Sequence, residues 1–184
     1  MTDFDRLRIA VMRANDEIRA CHTAGDLARR ARENSALTID EIDLTSLAAV
    51  GNHHSERDPM PGAIAALLPR MSTADGFIVV TSPRWEVSAP NTAWSWFADA
   101  WTHRPVGLVL DNQGTAEHLS LQRLWPGVPN GHTLPPLIIR RGPPSEDPRN
   151  PSAQSEKDTD DFLDRLCWWA RVLRDARRRY PRHP

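Results

Sequence analysis

Ser82, Arg84, Trp85, Glu86 and Ser88 fall within nine residues, SPRWEVSAP, punctuated by Pro83 and Pro90. Ahead of them runs Phe77-Ile78-Val79-Val80, continuous β-branched and apolar bulk that suits a strand buried on both faces. In an open α/β sheet, ligands bind where strands hand their carboxyl ends to such loops. Residues 82–90 are therefore expected to form part of any active site.

Other groupings of chemistry-bearing residues are weaker. His53 and His54 share a polar loop with Glu56 and Asp58, but adjacent histidines rarely converge on one metal ion, so this reads as a solvated loop. Glu117 and His118 stand at an expected helix start with nothing to orient them for acid–base work. No G-x-S-x-G, H-E-x-x-H, P-loop or G-x-G-x-x-G occurs. Cys21 and Cys167 are far apart and in no zinc or redox spacing, which suits free thiols in a reducing compartment.

These residues need a scaffold, and apolar periodicity supplies one. Strands are expected at 7–12, 38–44, 76–81, 106–110 and 134–140, the last with its prolines at the entry. Helices are expected at 24–34, 61–71, 91–101, 115–124 and 159–178. An exit turn is expected at 111–114, DNQG, and an exposed linker at 142–158, which is rich in Pro, Ser and charge. Strands alternating with helices imply a three-layer α/β sandwich around a five-stranded parallel sheet, with flavodoxin-like order 2-1-3-4-5. One domain over residues 1–184 is expected.

The formal net charge is −1, so bulk electrostatics favours neither nucleic acid nor an anionic membrane. The Arg-rich stretch 171–182 reads first as a solvated helix face, with an acidic or nucleic-acid partner as the other reading. The start, MTDFDRLR, has no apolar signal-peptide core and no run approaches membrane-spanning length, so a cytoplasmic location is expected.

Four stretches together resemble the NAD(P)H-dependent FMN reductases, the flavodoxin-like group that includes quinone, azo and chromate reductases. They are ADGFIVVT (74–81), like the family's central strand; SPRWEVSAP (82–90), on the pattern T-P-E-Y-N-x-S-x-P; HRPVGLVL (103–110), like G-K-P-V-G-x-V; and DFLDRLCWWARVLR (161–174), like the closing helix of several members. The resemblance implies hydride transfer from NADPH or NADH to FMN and on to a quinone-like or other small acceptor, with no side chain acting as acid or base. It places Arg13, Asn15 and Arg19 at the flavin phosphate, Pro83, Arg84, Trp85 and Glu86 at the ring, and Asn112, Gln113 and Gly114 opposite.

The chain departs from the family pattern at the phosphate loop. The Gly-Ser pair of the usual G-S-x-R is replaced by Met12-Arg13, and Asp16 and Glu17 bring negative charge to where a dianion would sit. The glycine-rich third loop keeps only Gly114, and Trp85 stands where the family has Tyr. Two other readings therefore stay open: a flavodoxin-fold protein that has lost FMN and serves as a non-catalytic partner or subunit, and an enzyme of another class using the same crevice. Trp94, Trp96, Trp101, Trp168 and Trp169 exceed what one core needs. Helices from these regions form interfaces in the resembled family, so a homodimer or tetramer is expected, without nucleic acid or membrane.

Overall fold

All six residues of 76–81 are buried, the environment their composition predicts. The computed structural model describes residues 6–14, 18–47, 60–81, 96–112, 132–133, 137–140 and 153–180. Its elements in chain order are β1 (Leu7–Arg13), α1 (Ile18–Glu33), β2 (Leu37–Asp43), a 3-10 turn (Thr45–Leu47), α2 (Gly62–Thr73), β3 (Gly76–Thr81), α3 (Ala98–Trp101), β4 (Pro105–Asn112), β5 (His132–Thr133), β6 (Leu137–Arg140) and α4 (Ala153–Arg179).

The strands form one sheet in the order β2-β1-β3-β4-β5, with β6 also on β4. Every pairing is parallel. This is the expected flavodoxin-like order, with the fifth strand delivered in two pieces. Pro105 faces His132 and Val109 faces Leu137, so four steps along β4 are matched by five on the other side.

Alternation along the strands sorts side chains into two cores. Ala10, Met12, Phe77, Val79, Val106 and Leu108 face Ile64 and Met71 of α2 and Ala100 and Trp101 of α3. Leu7, Ile9, Val11, Ile78, Val80 and Val109 face α1, through Ala20, Ala24, Leu27, Ala28 and Ala31, and α4, through Phe162, Leu163, Leu166, Cys167 and Ala170. On this second face Gly107 lies beside Ile78 in register. A Cβ there would stand 2.4 Å from Cζ of Phe162, so α4 reaches the sheet because residue 107 has no side chain.

Several boundaries differ from expectation. α1 begins at Ile18, six residues before the expected start, because Ala20 carries the buried stripe one turn upstream and Thr23 is buried mid-helix. β4 continues through Asp111 and Asn112, which pair with Ile139 and Arg140, so these two residues are strand and the turn expected at 111–114 starts no earlier than 113. α4 begins at Ala153, which makes 153–158 of the expected linker helical; Gln154, Glu156 and Lys157 are good helix formers, and Glu156 in the first turn suits the helix dipole. The loop 82–90, the expected helix 115–124 and residues 142–152 lie outside the described residues.

The tryptophans divide by role. Trp101 is fully buried and meets Phe77 edge-on, with ring centroids 4.5 Å apart. It is core, not the interface residue the tryptophan count suggested. Trp96 and Trp169 pack against the two cores. Trp168 is 56% exposed on α4. Trp94 lies outside the described residues.

Candidate functional site

β1 and β3 are neighbours in the sheet but not in the chain, so the connections from β1 and β3 leave in different directions. Pairing continues to the very ends of the strands. Ala14 N donates to Val80 O at 3.0 Å, and Leu44 N donates to Arg13 O at 2.9 Å. The crevice edge is thus formed by Arg13, Asp43, Thr81 and Asn112 at the carboxyl ends of β1, β2, β3 and β4. α1, 16 residues long and with no acidic residue in its first turn, starts beside it at Ile18, which is 75% exposed.

Arg13 is the best-defined polar residue here. Its Nη1 donates to Cys21 Sγ at 2.8 Å, and its Nη2 pairs with Asp43 Oδ2. The parallel register places Arg13 opposite Asp43, so the pair follows from the strand alignment. Asp43 Oδ1 also accepts from Thr45 N at 2.9 Å and from Thr45 Oγ1 at 2.7 Å. Partial burial pushes the Asp43 carboxyl up, but the Thr45 bonds and the Arg13 charge outweigh it and hold the group below its ordinary value.

Of the residues expected to hold a cofactor, Arg13 is at this edge, partly exposed. Arg19 is the second residue of α1 and Asn112 the last of β4; their side chains lie outside the described part. Asn15, Pro83, Arg84, Trp85, Glu86, Gln113 and Gly114 also lie outside the described residues. Asp43 and Cys21 were missed as partners of Arg13, and Thr45 as a partner of Asp43. The alternation of TIDEIDL carries the signal, since it ends β2 on an acid level with the end of β1.

The edge fits FMN in one respect and constrains it in another. The first turn of α1 offers backbone N–H groups that have no partner within the helix, a setting suited to a phosphate. The Arg13 guanidinium, however, already has a carboxylate partner in Asp43, which a phosphate would have to share. Among the described residues no cluster of three or more His, Cys, Asp or Glu could hold a metal ion, and no helix is long and apolar enough to cross a membrane.

No family model and no curated protein matches the chain. Solved structures do. A flavoenzyme NAD(P)H:(acceptor) oxidoreductase from Paracoccus denitrificans superposes with a TM-score of 0.57 at 15% identity, over 91% of this chain and 98% of that one. An NAD(P)H:quinone oxidoreductase from Methanothermobacter marburgensis gives 0.54 at 14% identity, over 91% and 99%. A flavodoxin variant from Pseudomonas aeruginosa gives 0.51 at 16% identity, over 88% and 99%. At such identities the likeness is one of architecture, and together with the sheet order it establishes that this chain has a flavodoxin-like α/β fold.

Proposed function

We propose that the chain is an NAD(P)H-dependent, FMN-carrying oxidoreductase that reduces a quinone-like or other small acceptor. The observation that carries this reading is the β1/β3 switch in strand order, with the start of α1 beside the end of β1, in a fold shared with flavoenzymes of that chemistry. Bound FMN would supply the redox chemistry, taking a hydride from NADPH or NADH and passing electrons to the acceptor. The chain's own part is placement. Arg13, Asn15, Arg19 and the α1 amides would hold the phosphate; Pro83, Arg84, Trp85 and Glu86 would flank the ring; Asn112, Gln113 and Gly114 would close the other side.

The reading includes a second copy of the chain. Trp168 and Val172, one turn apart on α4, are 56% and 41% exposed, an apolar pair suited to an interface core.

A second reading has its own observation. Because Arg13 is engaged by Asp43, the phosphate end lacks a free cation among the described residues, which favours a flavodoxin-fold protein that has given up flavin. Titration of FMN fluorescence separates the two. A nanomolar flavin site corresponds to about −12 kcal/mol, and the loss of two or three charged hydrogen bonds, roughly 1.5–3 kcal/mol each, moves the expected Kd into the micromolar range. Quenching in that range, with NAD(P)H oxidation when a quinone is added, supports the reductase. No quenching up to about 1 mM FMN and no NAD(P)H oxidation overturns it.

A further inference from the structure

A second concavity opens at the amino ends of the strands. Arg8 lies near the start of β1 and Arg13 at its end, five residues at about 3.3 Å each, which separates this opening from the crevice by roughly 17 Å. The cavity, about 540 Å³, lies between the start of β1, the end of α2 and the last turns of α4. Among the described residues five guanidinium groups line it, from Arg6, Arg8, Arg174, Arg177 and Arg178, against a single carboxylate, Asp75.

Asp75 builds the floor. Its Oδ2 accepts from Arg8 N at 3.0 Å and lies 3.6 Å from Arg174 Nη1, and its Oδ1 accepts from Arg177 Nη2 at 3.1 Å. Its own amide donates to Arg8 O at 2.7 Å. Arg174 Nη1 also donates to Arg6 O at 3.0 Å, and Arg177 Nη1 to His103 O at 2.6 Å. His103 presents that carbonyl from a left-handed backbone conformation, φ 56°. Two of the five cations are therefore held rigidly at the base. The other three, Arg6, Arg8 and Arg178, are exposed, and none has a carboxylate partner among the described residues.

The positive charge is in excess at close quarters. Behind the pocket Arg104 donates through Nη2 to Ser72 O at 2.8 Å, and its pKa is brought down to about 10, by burial first and then by the charge of Arg177. Arg177 is itself lowered by burial and by Arg174 and Arg178, with Asp75 opposing. The Nε atoms of Arg104 and Arg174 are buried without hydrogen-bond partners among the described residues. An anion entering the cavity would offset repulsion that one carboxylate does not.

We propose that this pocket binds a small polyphosphorylated molecule, by chelation between the exposed Arg6, Arg8 and Arg178 over the fixed base of Arg174 and Arg177. Guanidinium forks match phosphate oxygens in pairs, and the lining carries four positive charges in excess of Asp75, the balance a di- or triphosphate needs. The volume lies within the range of small-ligand sites, and a local concavity with its cations gathered over one carboxylate suits a compact anion better than the extended groove a nucleic acid needs.

The test is calorimetric titration of the full chain with inorganic tripolyphosphate at low ionic strength. The wild type is expected to bind with a Kd in the tens of micromolar. The triple variant Arg6→Gln, Arg8→Gln, Arg178→Gln should bind at least roughly tenfold more weakly. A control with the same change in net charge on other exposed helix positions, Arg29→Gln, Arg165→Gln, Arg171→Gln, should bind like the wild type, and circular dichroism should show all three proteins folded. Binding absent up to about 1 mM overturns the proposal, as does equal weakening in the control. Tighter binding of a short single-stranded RNA than of tripolyphosphate also overturns it.

Discussion

A methyl group has no room at Gly107. The Phe162 ring occupies the space, 2.4 Å from where a Cβ would stand. Gly107→Ala is expected to lower stability by about 1–3 kcal/mol through overpacking, and Phe162→Leu in the same chain should recover part of that loss. Urea denaturation measures both, and a single variant as stable as the wild type would show that the ring moves aside freely. Arg13 poses a question of charge. If the flavin reading is right, Asp43→Asn releases the guanidinium and should tighten FMN binding by roughly tenfold, the equivalent of one charged hydrogen bond. Weaker or unchanged binding would mean that Asp43 positions Arg13 or that the phosphate lies elsewhere. At this scale sequence legibility was uneven. Arg13 could be named from its strand end, but its commitment to Asp43 depends on the β1–β2 register, and Asp75 carries no local signal because its three arginine contacts come from both ends of the chain, Arg8 at one and Arg174 and Arg177 at the other.

Among elements, α4 is held to α1 by more than its apolar stripe. Arg30 Nε donates to Asp160 Oδ1 at 2.6 Å and Nη2 to Oδ2 at 2.7 Å, a two-pronged bridge between the helices. The hydrogen bonds to Arg30 hold the Asp160 carboxyl below its ordinary value. A lowered carboxylate stabilises the fold above the unfolded value near pH 3.9, and that contribution is lost as pH falls through the lowered folded value. The carboxylate is 52% exposed, so solvent screens the pair and its worth is at most about 1 kcal/mol. Arg30→Gln should therefore lower the urea midpoint slightly at neutral pH and not at about pH 2. A difference that persists in acid would assign the effect to packing. Element ends were the least legible part of the chain. Residues 18–23 look like loop and Ala153–Asp158 like linker, because local residue chemistry marks where a helix can stop, whereas burial of Ala20 and docking of α4 decide where it does.

For the whole molecule, sheet order was legible because it rests on a few strong signals: β3 buried on both faces, VGLVL in β4, and helical spacing between strands. The divided fifth strand was not, since one residue of register slip leaves no mark in composition. The proposed dimer is also a property of this scale. Sedimentation at micromolar concentration should show a dimer, and Trp168→Glu, which puts a charge into the exposed apolar pair on α4, should leave a folded monomer. A wild-type monomer would remove this part of the proposal.

Gly107 and its neighbours have a further consequence in the order of synthesis. The face formed by Val11, Ile78, Val80 and Val109 is complete as a strand surface once β4 has been made, but half of its cover, α4, ends 67 residues later, from Asn112 to Arg179. At 5–20 residues per second that delay is roughly 3–13 s. During it the nascent sheet carries an apolar face beside Gly107 with no lid of its own, and a holdase on the ribosome would find its target there.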